Sequence, residues 1–514
     1  MSFQVKESVQ NMEADLVIIG GGGAGLAAAL TASEKGCNKI IVLEKVGSTG
    51  GNSAMAHDLF GAESPVQKRM GSDARRDEFF KVAMRWSHWS KVNPRVIRAF
   101  IDKSGDTVGW LLKKGINFNL GQFYLNQSPR IRHAIEGRGA ELMRVLAKEC
   151  KERGIQILTL TPVKKLLLGK DGQITGVIAA GTDIEYHITS KSVIIASGGY
   201  AANKELLAKY CSYFIPDVMV NQGVRHNTGD GIQLATEVGA ATAGLGCIMF
   251  HGPHSPSWPQ ATARIPLNTN PDNEIQVDLS KLVWEPNTLW VNKRGKRFID
   301  EAYNLSSFAH AAATAQQPGG IMFSLFDDSI IKVMETEGLI RPAAYGGIKT
   351  MKTSVLALTP LPGLAAGLRT LAAKYDSWLK IADTWDDIAN WIGAKPETFK
   401  KTIEEYNIAC ERGLDSILCK DRIYLLPLKS PPYYAIKGQS MICDAIGGAK
   451  INENMEVVDV EDNSIPGLFA AGSASGGWES ENYCYELTGH LLGFALNSGR
   501  IAGENAVKYI SKYS

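Results

Sequence analysis

Asp15-Leu-Val-Ile-Ile-Gly-Gly-Gly-Gly-Ala-Gly25 is the stretch on which the fold turns. Its first five residues, rich in branched aliphatics, read as a short buried parallel strand. The glycines follow at once, and Leu26 to Lys35 is a run of good helix formers that stops at Gly36. Lys39 to Leu43 predicts a second apolar strand, closed by Glu44. Each part of this strand–turn–helix–strand–acid unit has a physical job. The glycines permit a tight turn, close approach of backbone to a pyrophosphate and tight helix–strand packing. The helix start presents unpaired N–H groups to phosphate oxygens. Glu44 lies 19 residues past Gly25, where a carboxylate can accept ribose hydroxyls. The unit predicts dinucleotide binding.

Working outward, 514 residues are too many for one ordinary core, so two packed units are expected. Apolar residues at 45% and charged residues at 21% suit a soluble globular enzyme and exclude a fibrous or disordered chain. A net charge of +2, from 55 basic and 53 acidic residues, announces no polyanion-binding surface and argues against nucleic acid. No apolar run reaches the roughly 18 residues of a membrane span. Met1 to Glu13 is polar and acidic, unlike a secretory signal. The eight cysteines form neither CxxC nor CxxCH, so a reduced cytoplasm fits and no metal or haem site is expected.

Further glycine turns decide which dinucleotide. Gly50-Gly-Asn-Ser53 follows Glu44-Lys45, Ser192-Val-Ile-Ile-Ala-Ser-Gly-Gly199 is another buried strand ending in glycines, and Pro466-Gly-Leu-Phe-Ala-Ala-Gly472 repeats that design before a helix from about Leu491 to Ser511. With Asn227-Thr-Gly-Asp-Gly-Ile232 and Val291-Asn-Lys-Arg-Gly-Lys-Arg-Phe298, these motifs run in order from end to end of the chain. In that order they resemble the flavoprotein superfamily of soluble fumarate reductases, urocanate reductases and 3-ketosteroid dehydrogenases. The resemblance implies an α/β fold: a Rossmann-like, glutathione-reductase-type FAD domain from residues 1–225 and 435–514, with an α+β cap domain, 226–434, inserted. The residues agree, because strands of the first kind stop near Gly199 and resume near Pro466, while the interval is rich in proline and then helical from Trp385 to Arg412. The long polar stretch from Ser255 to Asp278 reads equally as a lid or an insertion.

By the same resemblance, Gly20, Gly22, Ala24 and Gly25 approach the FAD pyrophosphate and Glu44 takes the adenosine ribose. Gly50, Gly51, Asn52 and Ser53 run along the pyrophosphate and ribityl chain, and Val163 meets adenine. Lys45, Ser197, Gly198, Asp230, Gly472, Ser473, Leu491 and Leu492 complete the expected shell. Two departures stand out. The family has glutamate where this chain has Ser473, so one ribityl hydrogen bond must differ. Relatives that attach FAD covalently carry histidine near the second glycine turn, where this chain has Asn52, so the FAD is expected to be non-covalent.

An FAD held this way exchanges hydride while the protein supplies orientation and the proton. The arginines that grip a dicarboxylate in fumarate reductases correspond here to Leu305 and Glu486, and the family's His-His-Thr-x-Gly-Gly becomes Cys443-Asp-Ala-Ile-Gly-Gly448. An acid at Glu486 would repel a diacid. Ketosteroid-type relatives instead place tyrosines at these sites, and this chain offers Tyr303 and Tyr485-Glu486-Leu-Thr-Gly489, with Tyr485 one residue early. Tyr303 is the candidate proton donor. Tyr485 and the backbone at Gly489 are candidates to polarise a carbonyl. His251 is a candidate substrate hydrogen-bonder, and Glu486 a candidate base, with Asp444 behind it. Phe250, Trp258, Trp284, Trp290, Trp478 and Tyr483 could wall an aromatic pocket or be plain core.

The expected activity is an FAD-dependent addition or removal of two hydrogens across a C–C bond conjugated to a carbonyl or aromatic ring, in a neutral hydrophobic substrate such as a ketosteroid or polycyclic phenolic ketone. Its electron partner is open between NAD(P)H, free flavin and a redox protein. Two alternatives compete: a reductase of unsaturated organic acids of the urocanate or cinnamate kind, with Arg264 holding the carboxylate, and a flavin electron-transfer subunit without a substrate of its own.

Overall fold

The computed structural model describes residues 8–121, 130–255, 264–267, 275–340 and 358–512. The glycine-rich unit forms as the pattern predicts, with strand Ser8–Ile19, helix Gly23–Glu34 and strand Ile40–Leu43. The first strand begins well before the apolar run, because Ser8–Ala14 pairs in parallel with Ile184–Ser190 while most of its side chains face water. Ladder hydrogen bonds need no apolar side chains, so this half of the strand has no hydrophobic signature.

The main sheet runs in the order Glu456–Val458, Ser464–Ala470, Ile184–Ile195, Ser8–Ile19, Ile40–Leu43, Gln156–Leu158. All neighbours are parallel except the antiparallel edge pair at Glu456–Val458. The register matters most. Ile19 lies opposite both Leu43 and Ile195, and Ile195 lies opposite Ala470. Four strands therefore end level and deliver Gly20, Glu44, Ala196 and Ala471 to one edge, the carboxyl edge at which open parallel sheets bind ligands. Helix Gly23–Glu34 is buried from Gly23 to Ala32, enclosed between this sheet and the long helix His490–Lys512. A helix apolar on every side is stable only when so covered.

A second sheet joins Thr242–His254, Tyr433–Lys450, Ile321–Asp327 and Leu289–Asn292, with Leu379–Ala382 and Ser475–Gly476 added to Tyr433–Lys450. Its far part packs in a separate core around Trp284, Trp290, Phe326, Phe399 and Tyr434. Its near part contributes Cys247, Ile446 and Ala449 to the core of the main sheet. The expected boundary at 226 falls before helix Asp230–Glu237, which still packs in the main core through Leu234 and Ala235, and the one at 435 falls inside the connecting strand Tyr433–Lys450. The expected helical stretch Trp385 to Arg412 is two helices, Trp385–Ile392 and Pro396–Arg412, parted by left-handed Gly393. Of the stretch from Ser255 to Asp278, Arg264–Leu267 and Ile275–Asp278 pair as antiparallel strands; Trp258 and the side chain of Arg264 lie outside the described residues. Among the described residues no helix is long and apolar enough to cross a membrane.

One buried ionic cluster lies beside the second core. Glu301 accepts from Arg297 at 2.9 Å and lies 3.2 Å from the Lys420 ammonium, while Arg297 also meets Asp415 at 2.9 Å. Glu301 and Lys420 are fully buried. Removing one member leaves its partners charged and dry, which costs about 3–5 kcal/mol. Glu301→Ala should lower stability to urea unfolding by about that much; a loss below roughly 1 kcal/mol would mean that the cluster is relaxed by water.

Candidate functional site

The level strand ends open into a cleft. Gly20, Gly22 and Ala24 line it from the first turn and helix start, Glu44 and Lys45 from the second strand end, and Gly51, Asn52 and Ser53 from the second glycine turn. Val163, Ser197, Gly198, Asp230, Gly472 and Ser473 enclose the remainder. Gly20 adopts φ +107°, and a side chain there would fall 2.4 Å from the Ala196 carbonyl oxygen, so only glycine makes this turn. At Gly22 the nearest atom to an added carbon is 3.9 Å away, and that open space belongs to the cleft. Gly25, Gly50, Leu491 and Leu492 do not line the cleft. Gly50 bridges to Gly22, and Leu492 packs beside Gly23, so these support the wall from behind.

Glu44 is buried, and its two carboxylate oxygens accept from the N–H groups of Gly21 at 2.8 Å and Val46 at 3.0 Å. That fixes the acid at the strand end with acceptor capacity to spare. Ser53 Oγ accepts from Gly23 N–H at 3.2 Å, tying the second glycine turn to the helix start. Lys45 donates to Thr228 at 2.7 Å and to Asp230 at 2.8 Å. Burial would raise the Asp230 carboxyl, but the Lys45 ammonium and Thr228 hydroxyl outweigh it and hold the group below its usual value. This bridge across the cleft was not legible from the motifs. The Ser197 hydroxyl is buried with no partner among the described residues. Open space at Gly22, spare acceptors on Glu44 and an unpartnered hydroxyl together fit an extended, polyhydroxylated dinucleotide.

Asp444 also lines the cleft, a residue the sequence reading had ranked behind Glu486 as a base. It accepts from Ser473 Oγ at 2.7 Å, Asn227 Nδ2 at 3.1 Å and its neighbour's N–H at 3.0 Å. Burial nevertheless pushes its carboxyl up to about 6.

The catalytic candidates part company. Tyr303 is half-buried in the turn Glu301–Leu305, immediately after the buried ionic cluster. The next residue, Asn304, donates to the Trp284 carbonyl at 2.8 Å. Trp284 in turn belongs to a ring cluster. His251 stacks on Phe308 with centroids 5.1 Å apart, edges Trp284 at 5.9 Å, and places Nδ1 2.7 Å from His254 Nε2. His251 lies opposite Met441, three residues from Asp444 along the shared strand, so the cluster begins about 10 Å from the cleft.

Two candidates are corrected. The Tyr485 hydroxyl donates to the Phe250 carbonyl at 2.9 Å and accepts from the Phe250 N–H at 2.8 Å, which commits it to holding the backbone. Glu486 is exposed, unlike the buried acids Glu44 and Asp444 that line the cleft. Gly489 backs against Leu59 and Phe60 and accepts the Phe60 N–H at 2.9 Å. Trp478 and Tyr483 pack on His490, apart from the Trp284 cluster, and Trp290 and Phe250 are plain core.

Residues 15–483 match the family model described as an FAD binding domain. The chain belongs to this FAD-binding family. It is 29% identical to vinyl phenol reductase of Lactiplantibacillus plantarum, with 97% of each chain covered. It superposes on the open conformation of a flavocytochrome c3 fumarate reductase with TM-score 0.67 and 26% identity, covering 97% of this chain and 79% of that one. The 3-ketosteroid-Δ4-(5α)-dehydrogenase of Rhodococcus jostii shares the fold at TM-score 0.70 and 21% identity, with 98% of each covered. The protein is thus an FAD-dependent oxidoreductase acting on carbon–carbon double bonds of unsaturated substrates.

The elevated Asp444 carboxyl has a linkage consequence. Between its unfolded value of 3.8 and about 6 the folded apoprotein keeps a proton that the unfolded chain has lost, so stability contributed below this window is lost as pH rises through it. Asp444→Asn removes that loss. In melting curves of the apoproteins, the variant should gain on the parent between pH 4 and pH 7; parallel curves would show that Asp444 is already ionised throughout.

Proposed function

We propose that the protein reduces a carbon–carbon double bond conjugated to an aromatic or carbonyl group in a neutral, flat, hydrophobic substrate. The observation that carries this reading is the charge of the site. An apolar side chain, Leu305 at 8% exposure, stands where a diacid reductase would carry an arginine. An anionic substrate finds no charge partner there. The buried rings of Trp284 and Phe308 back half-buried His251 with flat apolar packing, an environment that suits a phenol or enone. The vinyl phenol reductase among the relatives supports the same substrate class, and the ketosteroid enzyme supports a related one.

Bound FAD supplies hydride chemistry. The protein supplies everything else: the cleft orients the cofactor, the ring cluster positions the flat substrate, and His251 hydrogen-bonds its phenol or carbonyl oxygen. Tyr303 delivers the proton to the second carbon from a turn pinned between the buried ionic cluster and the Trp284 loop. Electrons enter from NAD(P)H, free reduced flavin or a redox protein.

In single-turnover mixing, photoreduced enzyme should be reoxidised by 4-vinylphenol or a cyclic enone far faster than by fumarate or urocanate. Faster reoxidation by the acids would replace this reading with an organic-acid reductase. Tyr303→Phe should keep its flavin and lose about 100-fold or more in turnover of the preferred substrate; full activity would remove Tyr303 from the mechanism.

A further inference from the structure

We infer that Asp444 is a cofactor-holding residue: it supplies, from a neighbouring strand, the carboxylate acceptor for the ribityl hydroxyls of FAD that related flavoproteins carry as glutamate at the position of Ser473. The inference rests on FAD binding and is independent of which substrate is reduced.

The geometry is specific. Ser473 ends the Ala471-Gly472 turn on the cleft wall, and its hydroxyl, too short to reach far, donates to Asp444 Oδ2 at 2.7 Å. Asp444 comes from the Tyr433–Lys450 strand, which reaches the same wall from the other sheet. The other oxygen, Oδ1, is held by Asn227 Nδ2 at 3.1 Å and by the Ala445 N–H at 3.0 Å, and Asn52, itself a cleft residue, also reaches the carboxylate. All these donors are neutral. Among the described residues no cation lies within ion-pair distance of Asp444, and the nearby Lys45 is already paired with Asp230. Asp444 is 2% exposed. A buried carboxylate met only by neutral groups is costly to keep, unless a ligand brings further hydroxyl donors to it. The ribityl chain of FAD is such a ligand, and hydroxyl-to-carboxylate bonds are short and strong.

The same geometry explains why position 473 is small. A glutamate there would place a second carboxylate against Asp444, and like charges sharing one buried site disfavour each other. The acid is therefore present once, on one strand or the other.

The test is a two-residue cycle read by FAD affinity. Apoproteins of the parent, Asp444→Ala, Ser473→Glu and the double variant are titrated with FAD, following quenching of flavin fluorescence. Asp444→Ala and Ser473→Glu should each bind FAD about 10- to 100-fold more weakly. The double variant should return to within a few-fold of the parent, because it restores a single carboxylate. Asp444→Asn, alone and with Ser473→Glu, keeps the side-chain shape and carries the same cycle should the alanine variant fold poorly, which apoprotein melting curves report. An Asp444→Asn protein that binds FAD as tightly as the parent would overturn the inference. So would a double variant weaker than both single ones.

Discussion

The level ending of four parallel strands is the constraint from which the rest of the molecule follows. Ile19, Leu43, Ile195 and Ala470 stand in one register, so the main chain turns away at Gly20, Glu44, Ala196 and Ala471 along a single edge. That edge has a helix start, a buried acid and two glycine turns gathered on it without any side chain having to reach. The long C-terminal helix exists in this position to cover the otherwise all-apolar helix Gly23–Glu34. Slipping any one strand by a residue would flip its buried face and tear the cleft apart.

The second sheet extends this arrangement towards chemistry. Its two connecting strands leave the main core at Cys247 and Ile446 and rise into a separate core, so the rings around His251 stand beside the cleft on a rigid ladder. The turn that carries Tyr303 is held by Glu301, Arg297 and Lys420 on one side and by Asn304 on the Trp284 carbonyl on the other. Such a turn stores little freedom, which suits the proton delivery proposed for Tyr303. The relatives reduce or oxidise quite different molecules on the same frame, as expected when function resides in the side chains grafted beside a shared cradle.

How much of this was legible in the sequence depends on how local the physics is. The dinucleotide cradle was, because glycine spacing, strand pattern and Glu44 are consequences of main-chain geometry within some thirty residues. The non-local parts were not. Tyr485 stands one residue early of a Tyr-x-x-Gly spacing that says nothing about where its hydroxyl points, and it exchanges two hydrogen bonds with the backbone of Phe250, 235 residues away. Glu486 was a candidate base by position alone, and position alone does not tell that its side chain is exposed. Asp444 was ranked low because only the pairing of distant strands brings it against Ser473 and Asn227. Lys45 and Asp230 were each expected at the cofactor, but their bridge joins residues 185 apart and leaves no periodic trace.

On this edge the purified holoprotein should hold one dissociable FAD per chain. Precipitating the purified holoprotein with acid, and identifying the flavin released by its absorbance and chromatographic mobility, tests it most directly. All the yellow colour should appear in the supernatant as intact FAD, in near-equal amount to the protein. Flavin retained in the pellet, released as FMN, or absent even after reconstitution would contradict it.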